Sequence, residues 1–197
     1  QGLFDLTSAM FGVRYEQVFG LDLWDDSVTA WNLYDGDELI GRFYLDLHPR
    51  DDKYGHAACF GYREGVAGSR VPQATLVCNF PNPADDPEGA ALMEHGEVTT
   101  FFHEFGHLLH ALFGGHQEWI GISGINTEWD FVEAPSQMLE EWCFDEESLQ
   151  MFARHNKTGE PIPAEMVANL RASEEFGKGV NTAHQMFYAA LSLNYYN

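Results

Sequence analysis

Leu92, Val98, Phe102, Phe105, Leu109 and Leu112 fall at the intervals of a single helix face, and the run stops at Gly114-Gly115. Inside this stretch stands His103-Glu104-Phe105-Gly106-His107. Side chains four apart share a helix face, so both imidazoles can reach one ion while Glu104 sits about 100° round the helix. That is the arrangement a zinc hydrolase needs: neutral imidazoles as ligands and a further carboxylate to take the proton of a zinc-bound water. A motif of three fixed residues also arises by chance, so its weight comes from the helical phase and the flanking glycine.

The residues ahead of this helix have a different period. Leu3, Leu6, Met10 and Phe11 recur as in a short helix. Residues 27–34 and 39–47 are β-rich runs on either side of Asp35-Gly36-Asp37, a hairpin signal. Residues 57–62 and 74–80 read as further strands, the second ended by Pro81-Asn82-Pro83. After a glycine-rich loop over 114–127, a second helix is expected from about residue 131 to 143, with Asp130 as its N-cap and Pro135 in its first turn. Residues 146–155, 163–172 and 180–196 read as additional helices. The expected architecture is α+β in a single domain over residues 1–197. A helix and a small, mostly antiparallel sheet occupy about 1–87, and a helical, metal-binding region occupies about 88–197.

Composition narrows the function classes. Acidic residues number 31 against 10 basic ones, for a net charge of −21, and the basic residues are scattered. Nucleic acid and anionic membranes are therefore poor partners. No apolar run approaches the ~20 residues of a transmembrane helix, and no basic segment followed by an apolar one opens the chain. Cys59, Cys78 and Cys143 are odd in number and lack CxxC spacing, which favours a reducing, cytoplasmic location over a disulfide framework.

Two histidines need a third ligand. His110 continues the same face, but it is seven residues from His103, about 10 Å along the axis, too far to share one tetrahedral ion. The third ligand is expected from another element, after a loop long enough to reverse the chain. Glu133, in the first turn of the next helix, meets that condition; Glu128, Glu140 and Glu141 compete with it, and Glu140 lies two turns on, near the same face. Asp130 and Glu97 are candidates for orienting a ligand imidazole, and equally for a helix cap or a solvated charge.

Phe102-His103-Glu104-Phe105-Gly106-His107, followed by Trp129-Asp130-Phe131-Val132-Glu133-Ala134-Pro135-Ser136-Gln137-Met138-Leu139-Glu140, resembles the thimet oligopeptidase, neurolysin and oligopeptidase A family of zinc peptidases. So does the run Gly41-Arg42-Phe43-Tyr44-Leu45-Asp46-Leu47-His48-Pro49-Arg50, continued by Lys53-Tyr54-Gly55-His56-Ala57-Ala58-Cys59-Phe60. The resemblance implies a zincin-like fold and one Zn²⁺ per chain, held by His103, His107 and Glu133, with Glu104 as general base. It implies a zinc-dependent endopeptidase acting on oligopeptides, and on larger proteins if access is wide. By the same analogy the strand near residues 55–60 would pair with an extended peptide. The family's Gly- and Tyr-rich substrate-binding run has no counterpart here, and Tyr195 and Tyr196 do not match it. Two further expectations follow from that departure: a folded zinc-binding fragment with little turnover as the alternative function, and self-association through an exposed apolar surface.

Overall fold

Helix α1 (Gly2–Phe11) ends where Gly12 takes a left-handed backbone at φ 71°, and the chain passes directly into strand β1 (Val13–Val18). A hairpin follows, β2 (Thr29–Asp35) and β3 (Glu38–Asp46), turning at Gly36-Asp37 as the sequence indicates. Strand β4 (Ala58–Arg63) and strand β5 (Gln73–Val77) complete a five-stranded sheet of order β1-β2-β3-β5-β4. All neighbours are antiparallel except β3 and β5, so the sheet is mostly antiparallel, and among the described residues β4 is an edge strand. Strand β1 was not expected. It is a six-residue edge with Arg14 and Glu16 facing water, which leaves too few apolar positions for a period to register.

Helix α2 (His95–Phe113) lies across one face of this sheet. A reciprocal capping box starts it: Glu94 accepts from the Glu97 amide, and the Glu97 carboxylate accepts from the Glu94 amide at 2.8 Å. Leu92 therefore precedes the helix and is exposed, although it fits the helical period. Phe105, Leu108 and Leu112 are fully buried, as are Leu33, Phe43 and Leu76 of the sheet. Phe43 meets Phe105 edge-on at 6.1 Å, and Phe4 stacks on Tyr15 at 4.3 Å, so α1, sheet and α2 share one aromatic core.

Helix α3 (Ala134–Glu140) starts three residues later than its sequence suggests, with Glu133 and not Asp130 at the N-cap. Pro135 explains the shift. In a helix begun at residue 131 its missing N–H would leave the Phe131 carbonyl unpaired and its ring would press on that group. The Phe131 carbonyl instead accepts from Ala134 at 2.9 Å, closing a turn, and Pro135 falls in the first helical turn where it costs little.

The computed structural model describes residues 1–85 and 91–196, in two compact units, Gln1–Cys143 and Phe144–Asn197. The change of character expected near residue 88 lies outside the described residues. The second unit holds α4 (Glu146–Phe152), α5 (Ala164–Glu175) and α6 (Lys178–Tyr195), close to the expected spans. Asp145 caps α4 through the Ser148 amide at 2.9 Å. On α6 Met186, Phe187, Tyr188 and Leu191 are exposed. Among the described residues no helix is long and apolar enough to cross a membrane.

Candidate metal centre

Helix α2 presents His103 and His107 one turn apart, with ring centroids 4.9 Å from each other. The N-cap position of α3 delivers Glu133 to the same spot. Its Oε2 lies 3.0 Å from Nε2 of His107 and 3.3 Å from Nε2 of His103. Ligands about 2.0–2.1 Å from a tetrahedral zinc are about 3.3 Å from one another, so these separations suit the ion. Among the described residues this trio alone gathers three His, Cys, Asp or Glu ligand atoms, all within 4.8 Å. His110 lies outside it.

The close approach of α2 and α3 rests on Gly106. A Cβ at that position would stand 2.6 Å from Cα of Ser136 and 2.7 Å from the Pro135 carbonyl, so only glycine lets the two backbones meet. The buried Ser136 hydroxyl then donates to Glu133 Oε2 at 2.7 Å and fixes the carboxylate toward the imidazoles. That hydrogen bond, aided by the two histidines and opposed by burial, holds the Glu133 carboxyl below its ordinary range.

Each imidazole has a second nitrogen. Nδ1 of His103 donates to Oε1 of Glu140 at 2.5 Å, which leaves its Nε2 lone pair directed at Glu133. Nδ1 of His107 is buried without a hydrogen-bond partner among the described residues, and burial, the largest influence on it, lowers its basicity. A neutral imidazole is the ligand form, so the low basicity suits metal binding. His110 is likewise lowered by burial, and its ring lies 6.1 Å from that of Phe131.

Glu104 points toward the sheet side of α2 and is 9 % exposed. Burial raises its pKa against the opposing pull of His103 and of a hydrogen bond from the backbone N–H of Cys59, while Glu133 adds to the rise. A carboxylate with raised proton affinity beside a metal site is suited to accept and return a proton. The Cys59 thiol does not compete for these roles: burial, with the charge of Glu104, pushes it up to about 12, so it stays a thiol.

The remaining candidates separate cleanly. Glu128 and Glu141 are exposed. Glu140 sits on His103 Nδ1, outside the three-atom cluster, and so takes the orienting place that Asp130 and Glu97 were candidates for. Glu97 is the helix cap described above, and Asp130 is exposed in the turn ahead of α3. Ser136 and the Cys59 amide were not anticipated. Ser136 stands three residues after Glu133, a spacing that places it over the same turn; nothing in the sequence marks a backbone amide.

Residues 1–197 match the description Peptidase family M3. Oligopeptidase A of Haemophilus influenzae is 41 % identical over 181 residues, which is 89 % of this chain and 26 % of that protein. Saccharolysin of Saccharomyces cerevisiae is 34 % identical over 204 residues, covering 98 % and 28 % respectively. Dipeptidyl carboxypeptidase of Escherichia coli is 32 % identical over 198 residues, covering 100 % and 29 %. The chain thus spans about a quarter of the length of these curated relatives.

Proposed function

The chain belongs to peptidase family M3, and from that membership and the geometry above we propose that it is a zinc-dependent endopeptidase acting on oligopeptides. His103, His107 and Glu133 would hold one zinc ion per chain. When bound, zinc supplies Lewis acidity, acidifying water toward a pKa of ~7 and polarising a carbonyl. The observation that carries the reading is the buried Glu104, one residue from a ligand and raised in proton affinity. Glu104 accepts a proton from the attacking water and delivers it to the amine that leaves when the peptide C–N bond breaks.

The substrate backbone has an open sheet edge to lie against. Among the described residues strand β4 pairs only with β5, and its Cys59 N–H meets Glu104, so the free edge runs beside the base. Alternation puts the Gly61 backbone on the same edge, and an extended peptide adds there as a further strand. The free cysteines fit a reducing, cytoplasmic setting.

A second reading has one observation in its favour. The chain spans about a quarter of its relatives, and a zinc-binding portion of that size would bind metal with little turnover by itself. Cleavage of an end-blocked, internally quenched peptide by the zinc-loaded chain, beside Glu104→Gln, separates the two. Endopeptidase activity lost by about 10²–10⁴-fold in the variant, at equal zinc content, supports the first. Equal zinc content with no cleavage by either protein supports the second. Cleavage only of a free carboxy terminus, two residues at a time, overturns the endopeptidase assignment.

A further inference from the structure

One motif is not used by the metal centre: Asp46-Leu47-His48-Pro49-Arg50, continued by Lys53-Tyr54-Gly55-His56. These residues join β3 to the edge strand β4, and the connection is organised around a buried ammonium. Nζ of Lys53 donates to the backbone carbonyls of Asp46 at 2.9 Å, His48 at 2.6 Å and Cys78 at 2.5 Å, and stands 2.8 Å from Oδ1 of Asp46. Both side chains of that ion pair are 3 % exposed. The Asp46 carboxylate also accepts two N–H groups of Arg50, at 2.7 and 2.8 Å, and the Trp24 indole at 2.9 Å.

A cation ringed by three carbonyls and a carboxylate has the donor set of a hard metal ion, here tethered to the chain. It ties together the ends of two neighbouring parallel strands, since Asp46 closes β3 and Cys78 follows β5. The geometry has a local cost: Asp52, just ahead of Lys53, sits in left-handed backbone at φ 62°. Beyond Lys53, the Asn79 side chain donates to the carbonyls of Tyr54 and His56 at 3.0 and 3.3 Å, holding the outgoing arm that leads into β4. Two residues past His56 begins the strand whose Cys59 N–H rests on Glu104.

We propose that Lys53 is a positioning residue for peptide hydrolysis: its buried ammonium, with Asn79, fixes the approach to β4 and so holds the Cys59 amide against Glu104 and the open strand edge in register with the metal centre. The proposal rests on the endopeptidase reading for its effect on turnover and on the fold alone for its effect on β4. Misplacement of a reacting group by about an ångström from a distant change costs on the order of 10²-fold in rate.

The test compares the zinc-loaded chain with Lys53→Met and Asn79→Ala. It measures zinc content, steady-state kinetics on the quenched peptide, and amide hydrogen exchange of residues 54–61 against that of α2. Both variants are expected to keep one zinc and the slow exchange of α2. They should lose protection over 54–61 and lose at least tenfold in kcat/KM. Protection and kcat/KM within twofold of the parent in Lys53→Met overturn the proposal. So does a Lys53→Met chain that loses α2 protection while Asn79→Ala behaves as the parent, because Lys53 is then a general folding residue. If the parent itself cleaves nothing, the endopeptidase reading fails, and the exchange data still decide: lost protection over 54–61 supports the positioning role, and unchanged protection overturns it.

Discussion

Nδ1 of His103 lies 2.5 Å from Oε1 of Glu140, while Nε2 of the same ring faces Glu133. One imidazole is thus held from both sides by carboxylates seven residues apart, one at the N-cap of α3 and one at its last residue. The Glu140 bond fixes the tautomer in which Nε2 is free to bind, and the negative charge makes that nitrogen a better donor. Glu140→Gln is expected to weaken zinc binding by about 10–100-fold, read by competition with a chromophoric chelator. An affinity equal to that of the parent would show that His103 is oriented by packing alone.

Gly106→Ala tests the contact that brings α3 to α2. With Pro135 and Ser136 backbone atoms inside 3 Å of the new methyl group, the helices must part. Overpacking of this kind costs about 1–3 kcal/mol, visible as a lower urea midpoint. Because Glu133 moves with α3, zinc affinity should fall as well. A variant that loses stability but keeps the parent's zinc affinity would separate the two effects and contradict the coupling.

The pH dependence of stability has a specific contributor in Asp46. Burial opposes its ionisation, but the N–H groups of Arg50, Lys53 and Trp24 outweigh burial and hold its carboxyl well below the usual carboxylate range. A depressed folded-state pKa stabilises above the unfolded value of about 3.9, and that stabilisation is lost as the pH falls from there toward the folded value. The urea midpoints of the parent and Asp46→Asn are therefore expected to differ by a near-constant amount above about pH 5 and to draw together progressively as the pH falls below about 4. A gap that stays constant or widens on acidification would contradict this assignment.

Much of the fold was legible because its two periods are clean. The hairpin around Gly36 and the helix through Phe102, Phe105 and Leu112 both follow from where apolar residues recur, and each buries the face that its period marks. The His103–His107 pair was legible for the same reason, since helix geometry alone puts side chains four apart on one face. By spacing alone Glu133 was one of several carboxylates, and the family resemblance singled it out; α3 is what sets it beside the imidazoles, since periodicity says which face a residue lies on, not which helices touch. Glu140 shows the same limit, having the right phase for a ligand and a place instead on the far nitrogen of His103. Strand β1 and the start of α3 were set by local chemistry that a period does not register: a short edge facing water, and the missing N–H of Pro135.

The most direct test of the metal centre is zinc-edge X-ray absorption on the chain loaded with one equivalent of zinc. The expected spectrum has two imidazole nitrogens and oxygen ligands at about 2.0–2.1 Å, with one imidazole signal lost in His107→Ala. Sulfur scattering near about 2.3 Å, or a spectrum unchanged in His107→Ala, would place the zinc elsewhere and contradict the site.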